Sequence, residues 1–202
     1  MKAPPRVGVF AGSFNPVHIG HLALANWIAE FGDVDEVCFV VSPHNPLKKE
    51  DNLLDGRQRL EWVRAATAGY PKIRVSEVEF LLPRPSYTLR TLDALAATAP
   101  AGTQFFLLIG ADNWAVFDQW KDYYELLSRY PLLIFPRPGY PLNLSERQFA
   151  QPSGASLRAV TPPILDISSS FIRESIRQGK DVRFFLPEAI RSAVVQAFAG
   201  QK

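Results

Sequence analysis

The sequence predicts an α/β protein built on a doubly wound, mainly parallel sheet, and three observations carry that reading. Short apolar runs at residues 7–10, 36–41, 104–109 and 132–135 are rich in Val, Leu, Ile and Phe and show little polar alternation. Strands covered on both faces have this character. Longer stretches with helical spacing separate them, and strand–helix alternation at this interval favours right-handed crossovers. Finally, the chain has no internal repeat, and its 17 prolines gather in stiff connectors such as Leu82-Pro83-Arg84-Pro85-Ser86 and Pro136-Arg137-Pro138-Gly139-Tyr140-Pro141. A single domain over residues 1–202 is the simplest organisation.

Taken in order, residues 7–10 open the sheet and residues 19–31 form the first helix. Leu22, Ala25, Trp27, Ile28 and Phe31 fall near helical spacing there, and Gly32-Asp33 ends it. A strand at 36–41 precedes a helix at 55–68. Weaker strand signals follow at 73–75 and 78–80, then a helix at 88–97, a strand at 104–109, a helix at 120–127 and a strand at 132–135. Residues 164–165 are a candidate for one more strand. The remainder reads as helical, at 168–178 and 187–198, with Pro187 suited to a first turn, where its missing N–H costs nothing.

The totals exclude several classes. A formal charge of +2 with scattered basic residues does not suit a nucleic-acid-binding surface. No run approaches the roughly 20 apolar residues of a membrane span. The N-terminus lacks a signal peptide's apolar core, so a cytoplasmic protein is expected. Cys38, the single cysteine, rules out a disulfide framework and reads as a buried strand thiol. The three histidines, His18, His21 and His44, all lie in the first 44 residues.

Two segments carry chemistry. After the first strand comes Ala11-Gly12-Ser13-Phe14-Asn15-Pro16-Val17-His18-Ile19-Gly20-His21-Leu22. Gly12 admits close approach of the backbone to a ligand, and a helix beginning near Ile19 or Gly20 offers free N–H groups to an anion. His18 and His21, three apart, can face one side, where two imidazoles beside helix donors suit a polyphosphate. Near the other end stands Ile167-Ser168-Ser169-Ser170-Phe171-Ile172-Arg173. Asp166 or Ser168 can cap the following helix, the hydroxyls add donors, and Arg173 offers a planar fork to phosphate.

The first segment resembles the G-x-F-x-P-x-H-x-G-H signature of the nucleotidylyltransferase superfamily at every fixed position. The second resembles its I-S-S-T-x-I-R signature, with Ser170 in place of threonine. Three further segments are similar to those of bacterial nicotinate mononucleotide adenylyltransferases: Pro85-Ser86-Tyr87-Thr88-Leu89-Arg90-Thr91-Leu92, Ile109-Gly110-Ala111-Asp112-Asn113 with Trp120, and Phe185-Leu186-Pro187. Arg90 stands where that family usually has aspartate, and in Pro43-His44-Asn45-Pro46-Leu47-Lys48 the residues Asn45 and Lys48 match its N-P-P-H-K loop, but no histidine directly precedes the lysine.

The resemblance implies a Rossmann-like fold with a helical C-terminal segment, and transfer of AMP from ATP to nicotinate mononucleotide. It implies reacting-phosphate roles for His18, His21 and Arg173, and ATP contacts from Gly12, Ser13, Phe14, Gly110, Asp112, Arg137, Ser168 and Ser169. It places nicotinate mononucleotide against Asn45, Lys48, Tyr87, Thr88, Asp112 and Trp120, with Mg2+ carried on the ATP phosphates and a homo-oligomer left open. The residues support parts of this independently. N–H groups at Tyr87 and Thr88 open a helix and can seat a carboxylate, and Trp120 can stack on a pyridinium ring. Trp114, Phe117 and Trp120 also fall at helical spacing, which fits a core stripe equally well. Rival readings are transfer to the amide mononucleotide or to phosphopantetheine, a fragment of an aminoacyl-tRNA synthetase, and a non-catalytic nucleotide-binding protein.

Overall fold

The computed structural model describes residues 3–43, 53–144 and 149–200. Among these residues six parallel strands form one sheet: β1 (Arg6–Gly12), β2 (Glu36–Val41), β3 (Ile73–Ser76), β4 (Gln104–Gly110), β5 (Leu132–Phe135) and β6 (Leu157–Ala159). Their spatial order is β3-β2-β1-β4-β5-β6, so the chain winds outward from β1 in one direction and from β4 in the other. The doubly wound expectation is met. β1 pairs along its length with β2, from Val7 opposite Glu36 to Gly12 opposite Val41, and on its other edge with β4.

Strand alternation sorts the core into two layers, one on each face. Phe10, Val37, Phe39, Val41, Phe106, Leu108 and Leu133 face one way. Helices α1 (Ile19–Phe31), α2 (Gly56–Thr67), α6 (Ser169–Arg177) and α7 (Glu188–Ala199) cover them with Ala25, Ile28, Leu60, Val63, Ile172, Ile176, Val194 and Phe198. Val7, Val9, Cys38, Val40, Phe105, Leu107, Ile109, Leu132 and Ile134 face the other way. They meet α3 (Thr88–Thr98), α4 (Ala111–Trp114) and α5 (Tyr123–Arg129). A sheet buried on both sides explains why β2 reads as an unbroken apolar run. At about 25 cal/mol per Å2 of apolar surface buried, these two layers supply most of the driving force for folding.

Four local expectations need correction. Residues 78–80 form a 3-10 turn, not a strand, because the Ser76 hydroxyl accepts from the Val78 N–H at 3.2 Å and bends the chain. The sixth strand is β6, and the strand expected at 164–165 does not form: Ile164 and Leu165 are exposed, outside the sheet. The helix expected over 120–127 starts at Tyr123, since Trp120 is extended and Asp122 is left-handed at φ 58°. The expected aromatic stripe is accordingly split among α4, a 3-10 turn at Phe117–Gln119 and an extended Trp120, although Trp114 and Phe117 are buried.

Pro187 caps α7 from just outside it. Among the described residues no helix is long and apolar enough to cross a membrane.

Candidate active site

β1 and β4 lie side by side, and the chain leaves them toward opposite faces, to α1 and α4. A crevice opens where strand order reverses in this way, beyond the carboxyl ends of the strands. A cavity of about 410 Å3 occupies that place. Its wall takes Gly12–Asn15, His18 and His21 from the β1 exit, and Asp112 and Asn113 from the β4 exit. Phe135–Pro138 come from the β5 exit, and Ile167–Ser170 with Arg173 from the start of α6. The two segments expected to hold phosphate, joined by contacts 153 and 158 residues apart in sequence, therefore share one cavity.

Direct hydrogen bonds join them. Arg173 donates from Nη1 to the Asn15 carbonyl at 2.8 Å and from Nη2 to the Ser170 hydroxyl at 3.2 Å. The Ser169 hydroxyl donates to the Pro16 carbonyl at 2.8 Å. Of the two candidate caps, Ser168 is the one used, its oxygen accepting from the Phe171 N–H at 3.1 Å. Burial, followed by the positive charge of Arg177, lowers the Arg173 pKa. Its Nε is buried and has no hydrogen-bond partner among the described residues.

The turn after β1 is tightly shaped. Phe14 has φ 46°, Asn15-Pro16 is cis, and the Phe14 ring stands edge-on to Phe10 and His21 at 5.4 and 5.1 Å. A Cβ on Gly12 would come within 3.1 Å of that ring.

His18 caps α1 and is 3% exposed. Its imidazole stacks on that of His21 with centroids 3.6 Å apart. Burial, reinforced by the Arg137 charge, lowers the His18 pKa to about 3, so the ring is neutral near pH 7. Its Nδ1 is buried with no partner among the described residues. His21 accepts the His18 N–H at Nδ1, 3.2 Å away, which leaves its proton on Nε2 in the neutral ring. Gly20 makes this stack possible: a Cβ there would lie 3.1 Å from His18 Cε1 and Nδ1.

Across the crevice, Asp112 heads α4 and its Oδ1 lies 3.7 Å from Arg137 Nε. Oδ1 is buried without a hydrogen bond among the described residues. A Cβ on Gly110 would lie 2.3 Å from that oxygen, so a side chain at the end of β4 would push the Asp112 carboxylate out of its position.

The other expected substrate residues are placed differently. Tyr87 caps α3 and Thr88 begins it, as expected, but neither lines this cavity. Trp120 packs on Phe117 at 5.0 Å against the second core layer, also away from the cavity, with its indole N–H buried and unpartnered among the described residues. Arg90 lies over the Tyr87 ring at 5.7 Å. Asn45 and Lys48 lie outside the described residues.

Arg59 and the Asn15 side chain were not singled out from sequence. Asn15 Oδ1 accepts the Leu54 N–H at 3.4 Å, and Arg59 binds the carbonyls of Ser13, Ser42, Pro43 and Leu54. The signal for Arg59 was a charge on the apolar stripe that carries Trp62 and Val63.

Comparison with known proteins agrees with this geometry. The Cytidylyltransferase-like family model matches residues 9–175. A protein of Bacteroides fragilis named "Probable nicotinate-nucleotide adenylyltransferase" is 45% identical over 96% of this chain and 93% of its own length. One of the same name from Bacteroides thetaiotaomicron is 48% identical over 90% and 86%. The solved nicotinic acid mononucleotide adenylyltransferase of Plasmodium falciparum, complexed with NaAD, superposes with a TM-score of 0.71 at 16% identity, covering 96% of this chain and 95% of that one. That likeness is one of fold. With a family model matched over most of the chain and relatives this similar along nearly their whole length, the chain belongs to the nicotinate-nucleotide adenylyltransferase family, within the Cytidylyltransferase-like group.

Proposed function

We propose that this chain transfers AMP from ATP to nicotinate mononucleotide, giving nicotinate adenine dinucleotide and pyrophosphate in NAD biosynthesis. The observation that carries the reading is the convergence of His18, His21, Ser169 and Arg173 on one cavity at the strand-order switch. A phosphate oxygen of the mononucleotide attacks the α-phosphorus of ATP. The bond from that phosphorus to the oxygen bridging the β-phosphorus breaks, and its electron pair leaves with pyrophosphate. The nucleophile is already anionic near neutral pH, so no general base is needed, and catalysis is positioning plus charge stabilisation.

In this reading neutral His18 and the Nε2–H of His21 donate to the triphosphate, Arg173 and the N-terminal N–H groups of α6 take the leaving phosphates, and Asp112 takes a ribose hydroxyl. Gly12, Ser13 and Phe14 bring backbone against ATP, and Arg137 and Ser168 close its far wall. The mononucleotide lies across the switch point toward Tyr87, Thr88 and Trp120, and Asn45 and Lys48, outside the described residues, are further proposed binding residues for it.

Mg2+ is proposed to arrive on ATP. Among the described residues no group of three or more His, Cys, Asp or Glu side chains could hold a metal, and Asp112 is the only carboxylate on the cavity wall. That donor set fits an ion held by phosphate oxygens and water, where it would neutralise phosphate charge.

Turnover on the acid and amide mononucleotides, followed by pyrophosphate release with ATP and magnesium, tests the assignment. The acid is expected to be used in strong preference, because buried donors matched to a carboxylate are poorly matched to an amide. Preference for the amide would overturn the substrate, and pyrophosphate release with neither would overturn the reaction.

A further inference from the structure

Arg59 has no part in the scheme above, yet it is among the most deeply buried charges of the protein, at 0% exposure on the first turn of α2. Among the described residues its guanidinium meets only backbone carbonyls. Nε donates to Leu54 at 2.8 Å, Nη1 to Ser13 and to Ser42 (2.9 Å), and Nη2 to Pro43 at 2.9 Å. Three segments thus meet at one cation: the turn after β1, the exit from β2, and the entry to α2. The carbonyls satisfy the donors but leave the charge itself uncancelled, an arrangement that is costly away from water. Burial lowers the Arg59 pKa to about 10, with Asp55 offsetting part of the effect, so the group stays charged.

From this geometry we infer that Arg59 is a positioning residue for nucleotidyl transfer, locking the turn that faces ATP to the strand exit that leads toward the mononucleotide. The inference rests on the adenylyl-transfer reading. Planarity of the peptide gives the lock its effect. The Ser13 carbonyl and the Phe14 N–H share one peptide plane and point opposite ways. With the carbonyl held by Arg59, the Phe14 N–H is fixed facing away from Arg59, and Phe14 lines the cavity. Phe14 also sits at φ 46°, a region that residues with a side chain avoid, so the turn needs an outside constraint to keep its shape. Lysine cannot supply it. An ammonium is a point donor, whereas these carbonyls are spread over a planar fork.

The test compares wild type with Arg59→Lys and Arg59→Met, and uses Arg57→Met, an exposed neighbour on the same turn, as control. ATP affinity is measured by calorimetry, kcat and KM are measured for both substrates, and all are normalised to the folded fraction. The expected result is a loss of ATP affinity and of kcat/KM of about tenfold or more in the folded Arg59→Lys protein, with the Arg57→Met control unchanged. Unaltered ATP affinity and kcat/KM in folded Arg59→Lys would overturn the inference. Failure of both Arg59 variants to fold would assign the residue to stability alone and overturn it equally. If wild type fails to turn over the mononucleotide, the adenylyl-transfer reading falls, while the ATP affinities still decide the place of Arg59.

Discussion

His18 shows how burial sets the chemistry of a single residue. The ring is held neutral by loss of solvent and by Arg137, with its pKa lowered from 6.5 to about 3. A histidine whose folded pKa is depressed leaves the unfolded chain binding more protons between those two values. Stability from this group is therefore fully present above pH 6.5 and is lost as pH falls toward 3. Urea unfolding at pH 7 and pH 5 should show wild type losing more stability than His18→Gln, by on the order of 1–2 kcal/mol at about 1.4 kcal/mol per pKa unit. Equal losses would place the imidazole in water. Gly20 supports a sharper experiment, because it lies inside α1 but beneath the His18 ring. Alanine there, at the second position of the helix, should cost no helical stability and favour it by no more than about 0.5 kcal/mol, while its Cβ pushes the imidazole by a few tenths of an ångström. Gly20→Ala is thus expected to melt no lower than wild type and yet lose about tenfold or more in kcat. Unchanged kcat would show that the stack is not part of the catalytic geometry.

The elements were legible in proportion to their burial. β1, β2, β4 and β5 announce themselves because both faces are covered, and a fully apolar run has few other uses in a chain this polar. β6 did not, since only three residues pair at the edge and Arg158 and Ala159 are exposed. The segment Val78–Phe80 has strand-like composition, but a hydroxyl two residues upstream turns it, and such side-chain-to-backbone competition is invisible to periodicity. Likewise the left-handed Asp122 delays α5 at a place where spacing alone extends it. In the site, both phosphate motifs were readable because each is contiguous and opens a helix. Arg59 was not, because its partners are backbone atoms of three separate segments. At this scale α6 is the element to probe. Replacing its cap, Ser168→Ala, should cost about 1 kcal/mol by losing the bond to the Phe171 N–H, and should weaken ATP binding because Arg173 is one turn away. A loss of stability with ATP affinity intact would separate the cap from the phosphate site. Strand β2 offers a second check. Cys38 is fully buried and its pKa is raised to about 11, so a thiol reagent at pH 8 should label it only as fast as the protein unfolds.

On the scale of the whole molecule, the cavity is the place where distant parts of the chain are tied together. The turn after β1 and helix α6 meet through Arg173–Asn15 and Ser169–Pro16, contacts spanning more than 150 residues, and the exits of β4 and β5 close the other side. Helices α6 and α7 also supply Ile172, Ile176, Ile190, Val194 and Phe198 to the core, so the second phosphate motif cannot be deleted without removing part of the layer that covers the sheet. On the proposed function, folding and ligand binding are therefore coupled through the same segment. A nucleotide that bridges the two motifs binds only when both are in place, and so stabilises the folded chain by about 2.7 kcal/mol at a hundredfold excess over its Kd. For a chain of this size that corresponds to a rise in Tm of roughly 5–10 °C. Arg173→Ala keeps the core residues of α6 but removes the side chain that links its first turns to Asn15, and it should abolish most of the ATP-induced rise while lowering the ligand-free Tm far less. A variant that still gained the full increment from ATP would mean that the nucleotide is held by the β1 turn alone, and that α6 closes the cavity without gripping its contents.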